Sequence, residues 1–316
     1  MNAKKLYVKD INPGDRIEET FLVVEKNMAS SQKGNPYLAI KLCDTTGEIE
    51  GRVWDNAVEL NGRFKKGDII RIQSRAISYR NVIQLSISDI QNVDQTLINP
   101  SDYFPSSKMD SGEMFKTLMN FVETVKTQPL KTLLEQVFSD EDIAVAFKTA
   151  PAAKGFHHSY IGGLLEHTLS VIQLLEKTSA HYSEVNRDLI IAGGMLHDIG
   201  KIRELSFSKM IDYTDEGRLI GHITLGLEIV NEKMALIEDF PEQLAMELRH
   251  IIISHHGVLE YGSPKRPKTL EALIVNFIDD LDAKVNAFQI FIENSTDNES
   301  DWTPFHRLLE RFIYKG

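Results

Sequence analysis

The first 93 residues alternate between apolar and polar positions in short runs. A period of two residues predicts β-strands that each bury one face. Turn residues separate the runs, as in Asp44-Thr45-Thr46-Gly47 and Lys65-Lys66-Gly67-Asp68. The strands are predicted at Arg16 to Lys26, Tyr37 to Asp44, Glu48 to Trp54, Asp68 to Ser78 and Asn81 to Ile90, with a short helix within Asn56 to Phe64.

From Glu113 onward the apolar residues recur with the period of an α-helix. Met114, Leu118 and Val122 illustrate the spacing, and we expect the rest of the chain to be almost all helical, with a last helix around Phe305 to Ile313. Residues 96–112 show neither period and contain prolines among serines. We therefore predict three segments: a β domain at 1–95, a linker at 96–112 and a helical domain at 113–316.

Five strands with a helix after the third are the layout of the OB-fold, a partly open barrel whose face commonly binds oligonucleotides. The predicted fold class is multidomain α+β, with an N-terminal OB-like β-barrel followed by an all-α domain. Basic side chains could follow a nucleic-acid backbone and aromatic rings could stack on bases. The basic candidates are Lys33, Lys41, Arg52, Arg63, Arg71, Arg75 and Arg80, and the aromatic ones are Tyr37, Trp54, Phe64 and Tyr79.

We select Tyr37, Arg52, Arg71 and Arg75 from these as residues that bind the strand. The alternative is that the cations are ordinary solvated residues and that Trp54 and Phe64 belong to the core.

The charge of the chain does not exclude a nucleic-acid partner. The net charge is −11, but residues 1–94 hold 14 Lys plus Arg and 13 Asp plus Glu, so the acidity belongs to the C-terminal part. Apolar runs are far shorter than the roughly 20 residues of a membrane helix, so we expect no membrane contact. The only cysteine, Cys43, fits a reducing compartment, and we expect a cytoplasmic protein.

Imidazole and carboxylate groups are concentrated in the helical part, since all ten histidines follow residue 150. Imidazole nitrogens and carboxylate oxygens suit manganese, magnesium, iron, cobalt or zinc, and no cysteine favours a thiolate site. The segments that offer these groups are Leu164-Leu165-Glu166-His167-Thr168, Met195-Leu196-His197-Asp198-Ile199-Gly200-Lys201, Gly221-His222-Ile223, Ser254-His255-His256-Gly257 and Ile278-Asp279-Asp280-Leu281-Asp282.

A histidine, an adjacent His-Asp pair and a later aspartate resemble the HD phosphohydrolase superfamily. The resemblance identifies His167, His197, Asp198 and Asp279 as metal ligands. It also implies that His222 and one or both of His255 and His256 hold a second ion, with Asp198 bridging the two.

Longer phrases resemble the YhaM family of 3′-to-5′ exoribonucleases over nearly the whole chain. They are His157-His158-Ser159-Tyr160-Ile161-Gly162-Gly163-Leu164, Ser254-His255-His256-Gly257-Val258-Leu259-Glu260-Tyr261 and Asp279-Asp280-Leu281-Asp282-Ala283-Lys284. This resemblance implies single-stranded RNA or DNA as substrate, removal of 3′-terminal nucleotides as 5′-monophosphates, and a preference for manganese.

Three further side chains have expected roles near the metal. Divalent ions neutralise the charge of a phosphodiester and lower the pKa of a water molecule that is bound to them. Lys201 lies about one helical turn after Asp198, where its ammonium could hold a phosphate oxygen as a catalytic and substrate-binding group. We expect His158 to contact the substrate. We expect Asp282 to support the metal ligands without binding the ion itself.

Two other functions remain open from the sequence. The same histidines and aspartates could hydrolyse a small nucleotide, such as a cyclic nucleotide or a nucleoside triphosphate, or the protein could be a non-catalytic RNA-binding scaffold. An OB-like module argues against the first and an intact ligand set against the second. A homo-oligomer that encloses the site is also expected.

Overall fold

The structure, a computed structural model, describes residues 4–31, 34–79, 82–94, 98–155, 157–206, 211–295 and 300–316. The chain folds into two compact units that divide between Pro105 and Ser106.

The first unit is a closed five-stranded β-barrel with the strand order β1-β2-β3-β5-β4. Neighbouring strands are antiparallel except β3 and β5, which are parallel. The elements are β1 (Arg16–Ser30), β2 (Pro36–Asp44), β3 (Gly47–Val53), α1 (Ala57–Asn61), β4 (Ile69–Tyr79) and β5 (Val82–Asn92). The predicted OB-like barrel is therefore confirmed, although Asn81, the predicted start of the last strand, lies outside the described residues.

Strand alternation builds the core of the barrel. Leu38, Ile40 and Leu42 on β2 point inward and are buried, as expected when successive side chains face opposite sides. Gly67 has a φ of +86°, a conformation that glycine adopts readily, so the Lys-Lys-Gly-Asp turn before β4 forms where predicted. Cys43 is half-buried, and burial raises the pKa of its thiol to about 12, which keeps it protonated.

The segment predicted as a linker packs partly on the barrel. Residues 95–97 lie outside the described residues, but Pro100–Asp102 forms a 3₁₀ turn and Tyr103 and Phe104 are buried. The Tyr103 hydroxyl is 2.5 Å from the Thr20 hydroxyl. The first unit therefore extends to Pro105, beyond the expected boundary at 95.

The second unit is helical, with one two-stranded ribbon. Its helices are α2 (Ser111–Thr124), α3 (Gln128–Phe138), α4 (Glu141–Thr149), α5 (Gly163–His181), α6 (Arg187–Leu196), α7 (Lys201–Glu204), α8 (Asp215–Leu219), α9 (His222–Met234), α10 (Glu242–Ser254) and α11 (Leu270–Glu293), and its strands are β6 (Leu205–Ser206) and β7 (Asp212–Tyr213). Every residue of α6 from Asp188 to Leu196 is buried. This helix forms the centre of the unit, because α5, α10 and α11 pack around it.

The prediction of a last helix around Phe305 to Ile313 is wrong. This segment forms turns and isolated bridges, including a hydrogen bond of 2.8 Å from the Thr303 N–H to the Ile313 carbonyl. Glu310 has a φ of +53°, and a right-handed helix cannot pass through that left-handed conformation. Among the described residues, no helix combines the length and the apolar character that crossing a membrane requires.

Candidate active site

Five helical segments deliver their histidines and aspartates to one centre in the second unit. His167 comes from α5 and Asp279 from α11, whereas His197 directly follows α6. The remaining groups are Asp198, His222 at the start of α9, and His255 and His256 after α10. Because α6 is buried along its length, the His-Asp pair at its end is also buried, with exposures of 0% and 2%.

The Asp198 carboxylate stands between two groups of histidines. Its Oδ2 lies 3.4 Å from His197 Nε2 and 3.6 Å from His167 Nε2. Its Oδ1 lies 3.5 Å from both His222 Nε2 and His255 Nε2. One carboxylate thus presents an oxygen to each side.

The first side consists of His167, His197 and Asp279. His167 Nε2 is 3.1 Å from Asp279 Oδ1 and 3.3 Å from His197 Nε2. The candidate ligand atoms of the three residues lie within 4.8 Å of one another. Two nitrogens and two carboxylate oxygens, counting Asp198 Oδ2, therefore converge as metal ligands could.

The second side consists of His222, His255 and His256, whose candidate ligand atoms also lie within 4.8 Å of one another. Three buried atoms here, Asp198 Oδ1, His222 Nε2 and His255 Nε2, have no hydrogen-bond partner among the described residues. Buried polar atoms are normally satisfied, and leaving one unpaired costs about 1–3 kcal/mol. A divalent cation would satisfy all three at once, so the residues present fit a metal.

Backbone carbonyls determine which imidazole nitrogen is free for a metal. His197 Nδ1 is 2.8 Å from the Gly194 carbonyl, and His255 Nδ1 is 2.7 Å from the Ile252 carbonyl. His256 Nδ1 likewise lies 2.7 Å from the Tyr261 carbonyl. Because a carbonyl oxygen only accepts hydrogen bonds, each Nδ1 carries the proton and donates it, so in the neutral ring Nε2 keeps its lone pair.

Carboxylates do the same for the other two histidines. Asp282 Oδ2 lies 2.7 Å from His167 Nδ1, and the Ser170 hydroxyl donates to its other oxygen. Glu204 Oε1 lies 2.9 Å from His222 Nδ1 and accepts the backbone N–H of His222 at 3.0 Å. The sequence points to Asp282 through its neighbour Asp279, but no sequence signal points to Glu204, which lies 18 residues before its partner.

Both central carboxylates are held in the ionised form. Burial acts to raise the pKa of Asp198, but the Lys201 ammonium and His197 outweigh it and keep that pKa well below its usual value. His167 and His197 do the same for Asp279. Burial lowers the pKa of His197, but the Asp198 and Asp279 carboxylates dominate and raise it to about 10. The centre thus attracts positive charge strongly.

Lys201 lies inside the centre and not at its rim. Its Nζ is 2.5 Å from Asp198 Oδ2, and the residue is 7% exposed. Gly200 just before it allows the close approach of α9, because a Cβ there would lie 2.0 Å from the His222 carbonyl oxygen. This contact explains why glycine follows the His-Asp-Ile sequence.

The two neighbouring histidines before α5 have different environments. His158 is buried, with Nδ1 2.7 Å from the Tyr160 hydroxyl and Nε2 3.1 Å from Asp282 Oδ2. His158 therefore shares the Asp282 carboxylate with His167, whereas the sequence suggested that it contacts the substrate. His157 lines the cavity at the metal centre instead.

That cavity has a volume of about 420 Å³. Lys201, His255, His256 and Asp279 line one part of it, and residues from the 3₁₀ turn Leu259–Tyr261, from α11 and from the C-terminal segment line the rest. The cavity thus adjoins the converging histidines and aspartates.

In the barrel, the selected strand-binding residues lie on its outer surface. The Tyr37 and Trp54 rings stack with centroids 4.7 Å apart, and the Arg52 guanidinium is 6.0 Å from the Tyr37 ring. Trp54 is 51% exposed, which makes it available to a ligand. Phe64 is buried in the core, so its expected stacking role is wrong.

Acidic neighbours offset the positive charge of four candidate cations in the barrel. Arg52 pairs with Glu50 at 2.8 Å, and Arg71 lies 3.8 Å from Glu18. Arg75 is exposed and lies opposite Arg16 across β4 and β1. Lys41 and Arg63 also pair with glutamates, whereas Lys33 and Arg80 lie outside the described residues.

Known proteins resemble both units. A family model of the HD domain matches residues 164–284, and a model of an OB-fold nucleic acid binding domain matches residues 22–93. These matches confirm the predicted HD-type and OB-like domains.

Curated relatives extend the likeness to the whole chain. The 3′-5′ exoribonuclease YhaM of Bacillus subtilis (strain 168) is 30% identical over 314 residues, which cover 99% of this chain and 98% of that protein. YhaM of Halalkalibacterium halodurans is 32% identical over 90% of this chain and 89% of its own length. Among solved structures, the second OB-fold domain of replication protein A from Methanococcus maripaludis is 21% identical and covers 29% of this chain and 98% of its own, with a TM-score of 0.24.

Proposed function

The chain belongs to the YhaM family of 3′-5′ exoribonucleases, and we propose that it is a metal-dependent enzyme that removes nucleotides from the 3′ end of single-stranded RNA. The observation that carries this proposal is the set of acceptor atoms around Asp198 for which the described part of the chain offers no hydrogen-bond partner, since such a set fits a cation at the cavity. The products are nucleoside 5′-monophosphates. Single-stranded DNA has the same scissile bond and is a second substrate to test.

Two ions are proposed, one on each side of Asp198. His167, His197 and Asp279 would hold the first, and His222, His255 and His256 the second, with one Asp198 oxygen for each. When bound, such ions neutralise the charge of a phosphodiester and lower the pKa of a water molecule. Manganese is the proposed ion because the resemblance to the YhaM family implies it, and nitrogen and oxygen donors without thiolates are compatible with it as they are with magnesium, iron, cobalt or zinc.

The chemical step is hydrolysis of the terminal phosphodiester. A water oxygen forms a new bond to phosphorus, the bond from phosphorus to the 3′ oxygen breaks, and that oxygen leaves with a proton. Lys201 would hold a phosphate oxygen, because its ammonium lies in the cavity beside Asp198. The carboxylates of Asp282 and Glu204 orient His167 and His222 throughout.

The barrel would bind the single strand by stacking and by charge. The stacked pair of the half-buried Tyr37 and the exposed Trp54 offers a platform, and stacking contributes about 1–3 kcal/mol per base for any sequence. Arg52, Arg71 and Arg75 would add a salt-dependent attraction to phosphates.

We place the enzyme in the cytoplasm, because its lone protonated cysteine suits a reducing compartment.

We also propose that the protein is a homo-oligomer. Leu270, Leu273, Phe277, Leu281 and Val285 follow one face of α11 and are 42–62% exposed. Monomers rarely expose contiguous apolar patches larger than a few hundred Å². A second copy of the chain would cover this face.

The experiment is to incubate the protein and manganese with single-stranded RNA labelled at the 5′ or 3′ end. A 5′-labelled ladder that shortens stepwise, together with immediate release of a 3′-labelled mononucleotide, is expected. Asp198→Asn should abolish both, because it removes a charge from the centre of the metal site. Asp142→Asn, in an exposed first turn of α4, is the matched control.

Three results would contradict the proposal. Interior fragments would indicate an endonuclease. Intact RNA with hydrolysis of cyclic nucleotides or nucleoside triphosphates would favour a small-nucleotide enzyme, and RNA binding without any hydrolysis would favour a scaffold.

A further inference from the structure

Part of the cavity lining is apolar, and we call this part the apolar wall. Tyr261, Leu308, Leu309 and Ala283 contribute it, whereas Asn276, Asp280 and Lys284 add polar groups to the lining. We infer that this wall is a subsite for the nucleoside of the 3′-terminal nucleotide, with Tyr261 and Leu308 in contact with its base. The inference rests on the proposed exonuclease function and names residues that hold the end of the strand.

The C-terminal segment is fixed so that Leu308 lies at the cavity. Leu309 and Ile313 are buried with Ala287 of α11, at exposures of 6%, 4% and 2%. Bonds from the His306 N–H to the Arg311 carbonyl and from the Thr303 N–H to the Ile313 carbonyl close the segment on itself. With Leu309 anchored, Leu308 remains 70% exposed and lines the cavity.

Tyr261 approaches the cavity from another element. It ends the 3₁₀ turn Leu259–Tyr261, and its carbonyl oxygen accepts the Nδ1–H of His256 at 2.7 Å. The turn is thereby attached to a residue of the metal centre. The Tyr261 side chain is 70% exposed, so its ring is available to stack on a base.

The two parts of the cavity match the two parts of a nucleoside 5′-monophosphate. Lys201 and the proposed metal ligands line the part that suits a phosphate, whereas the apolar wall suits a base. The volume of about 420 Å³ falls within the range of about 300–1,000 Å³ that small-molecule pockets occupy. Apolar contact and stacking act on any base, so this subsite would accept each new 3′ end in turn.

The test compares ligands that differ only in the base. Calorimetry in the presence of manganese measures the affinity of the intact protein for adenosine 5′-monophosphate and for ribose 5-phosphate. The base should strengthen binding by about 5- to 150-fold, since stacking of about 1–3 kcal/mol corresponds to that ratio. Tyr261→Ala and Leu308→Ala should each reduce this ratio and leave the affinity for ribose 5-phosphate unchanged.

Leu236→Ala is the matched control, because Leu236 is 69% exposed and does not line the cavity. Equal affinity for the two ligands in the unmodified protein, or an unchanged ratio in both variants, would overturn the subsite. The degradation of end-labelled RNA, which gives the ladder, is assayed separately from ligand binding. A normal ladder without a base preference would overturn the subsite alone, and a base preference without any ladder would overturn the exonuclease function alone.

Discussion

Asp198 connects the two sides of the site through its two oxygens. His167 and His197 approach one oxygen, and His222 and His255 approach the other. An isolated buried carboxylate would be costly, but Lys201 and His197 compensate for its burial and keep it ionised. Lys201 and His197 stabilise the Asp198 carboxylate without a metal, so their positive charges must move or be lost when ions bind to it.

Glu204 provides a prediction at the residue scale. Its carboxylate accepts from both the Nδ1–H and the backbone N–H of His222, which directs Nε2 toward Asp198. Glu204→Ala should weaken manganese binding on the second side by about 10–100-fold, as loss of such partners typically does. Calorimetric titration with manganese should then detect one strong site fewer.

The matched control is Glu232→Ala, which removes a surface carboxylate 3.4 Å from Arg203. Glu204→Gln should retain part of the affinity, because an amide oxygen still accepts a hydrogen bond. An unchanged titration with Glu204→Ala would contradict the orienting role of this carboxylate.

Among the elements, α6 matters most because it carries the His-Asp pair into the centre. Its start is held by Asp188, whose Oδ2 accepts the backbone N–H groups of Lys126 and Thr127, each at 2.8 Å. Burial acts to raise the pKa of Asp188, but these bonds and Arg187 outweigh it and lower the pKa below its usual value. One carboxylate thus connects α6 to the loop between α2 and α3.

The prediction at the element scale is a loss of stability in Asp188→Asn. At pH 7 the free energy of unfolding should fall by about 1–3 kcal/mol, the cost of disrupted buried hydrogen bonds. Because the folded pKa is depressed, the stabilisation is present above the unfolded pKa of about 3.9 and is lost as pH falls through the folded pKa. Urea unfolding followed by circular dichroism at pH 7 and below pH 4 measures this.

The difference between the variant and the unmodified protein should therefore shrink at acid pH. Asp215→Asn, in the first turn of the short helix α8, serves as the comparison. A difference that stays constant with pH would show that the Asp188 charge does not stabilise α6.

At the scale of the whole molecule, the exposed apolar face of α11 predicts self-association. Phe277→Glu would put a charge among Leu273, Leu281 and their neighbours, where burial against a second copy is unfavourable. We expect light scattering to give a multiple of 35.8 kDa for the unmodified protein and a value near 35.8 kDa for the variant.

Leu219→Glu is the control, because Leu219 is 85% exposed and lies on a different helix, α8. A monomeric unmodified protein at all concentrations would refute the proposed oligomer. An unchanged mass for Phe277→Glu would contradict the α11 face as the interface.

The sequence by itself determined most of the elements and their order. The period of two residues gave the barrel strands, and the period of 3.6 gave the helices from residue 113 onward, because these patterns depend on near neighbours in the chain. The clustered histidines, together with the His-Asp pair, likewise indicated a metal site. The C-terminal segment escaped this reasoning, since its apolar spacing is helical but its backbone turns at Glu310.

Only the tertiary structure decided how the site is assembled. Glu204 reaches His222 across 18 residues, and Asp282 reaches His167 across 115. Leu308 borders the cavity because Leu309 is anchored on α11. Contacts of this kind depend on how whole helices pack, and the local sequence pattern around each residue does not encode that packing.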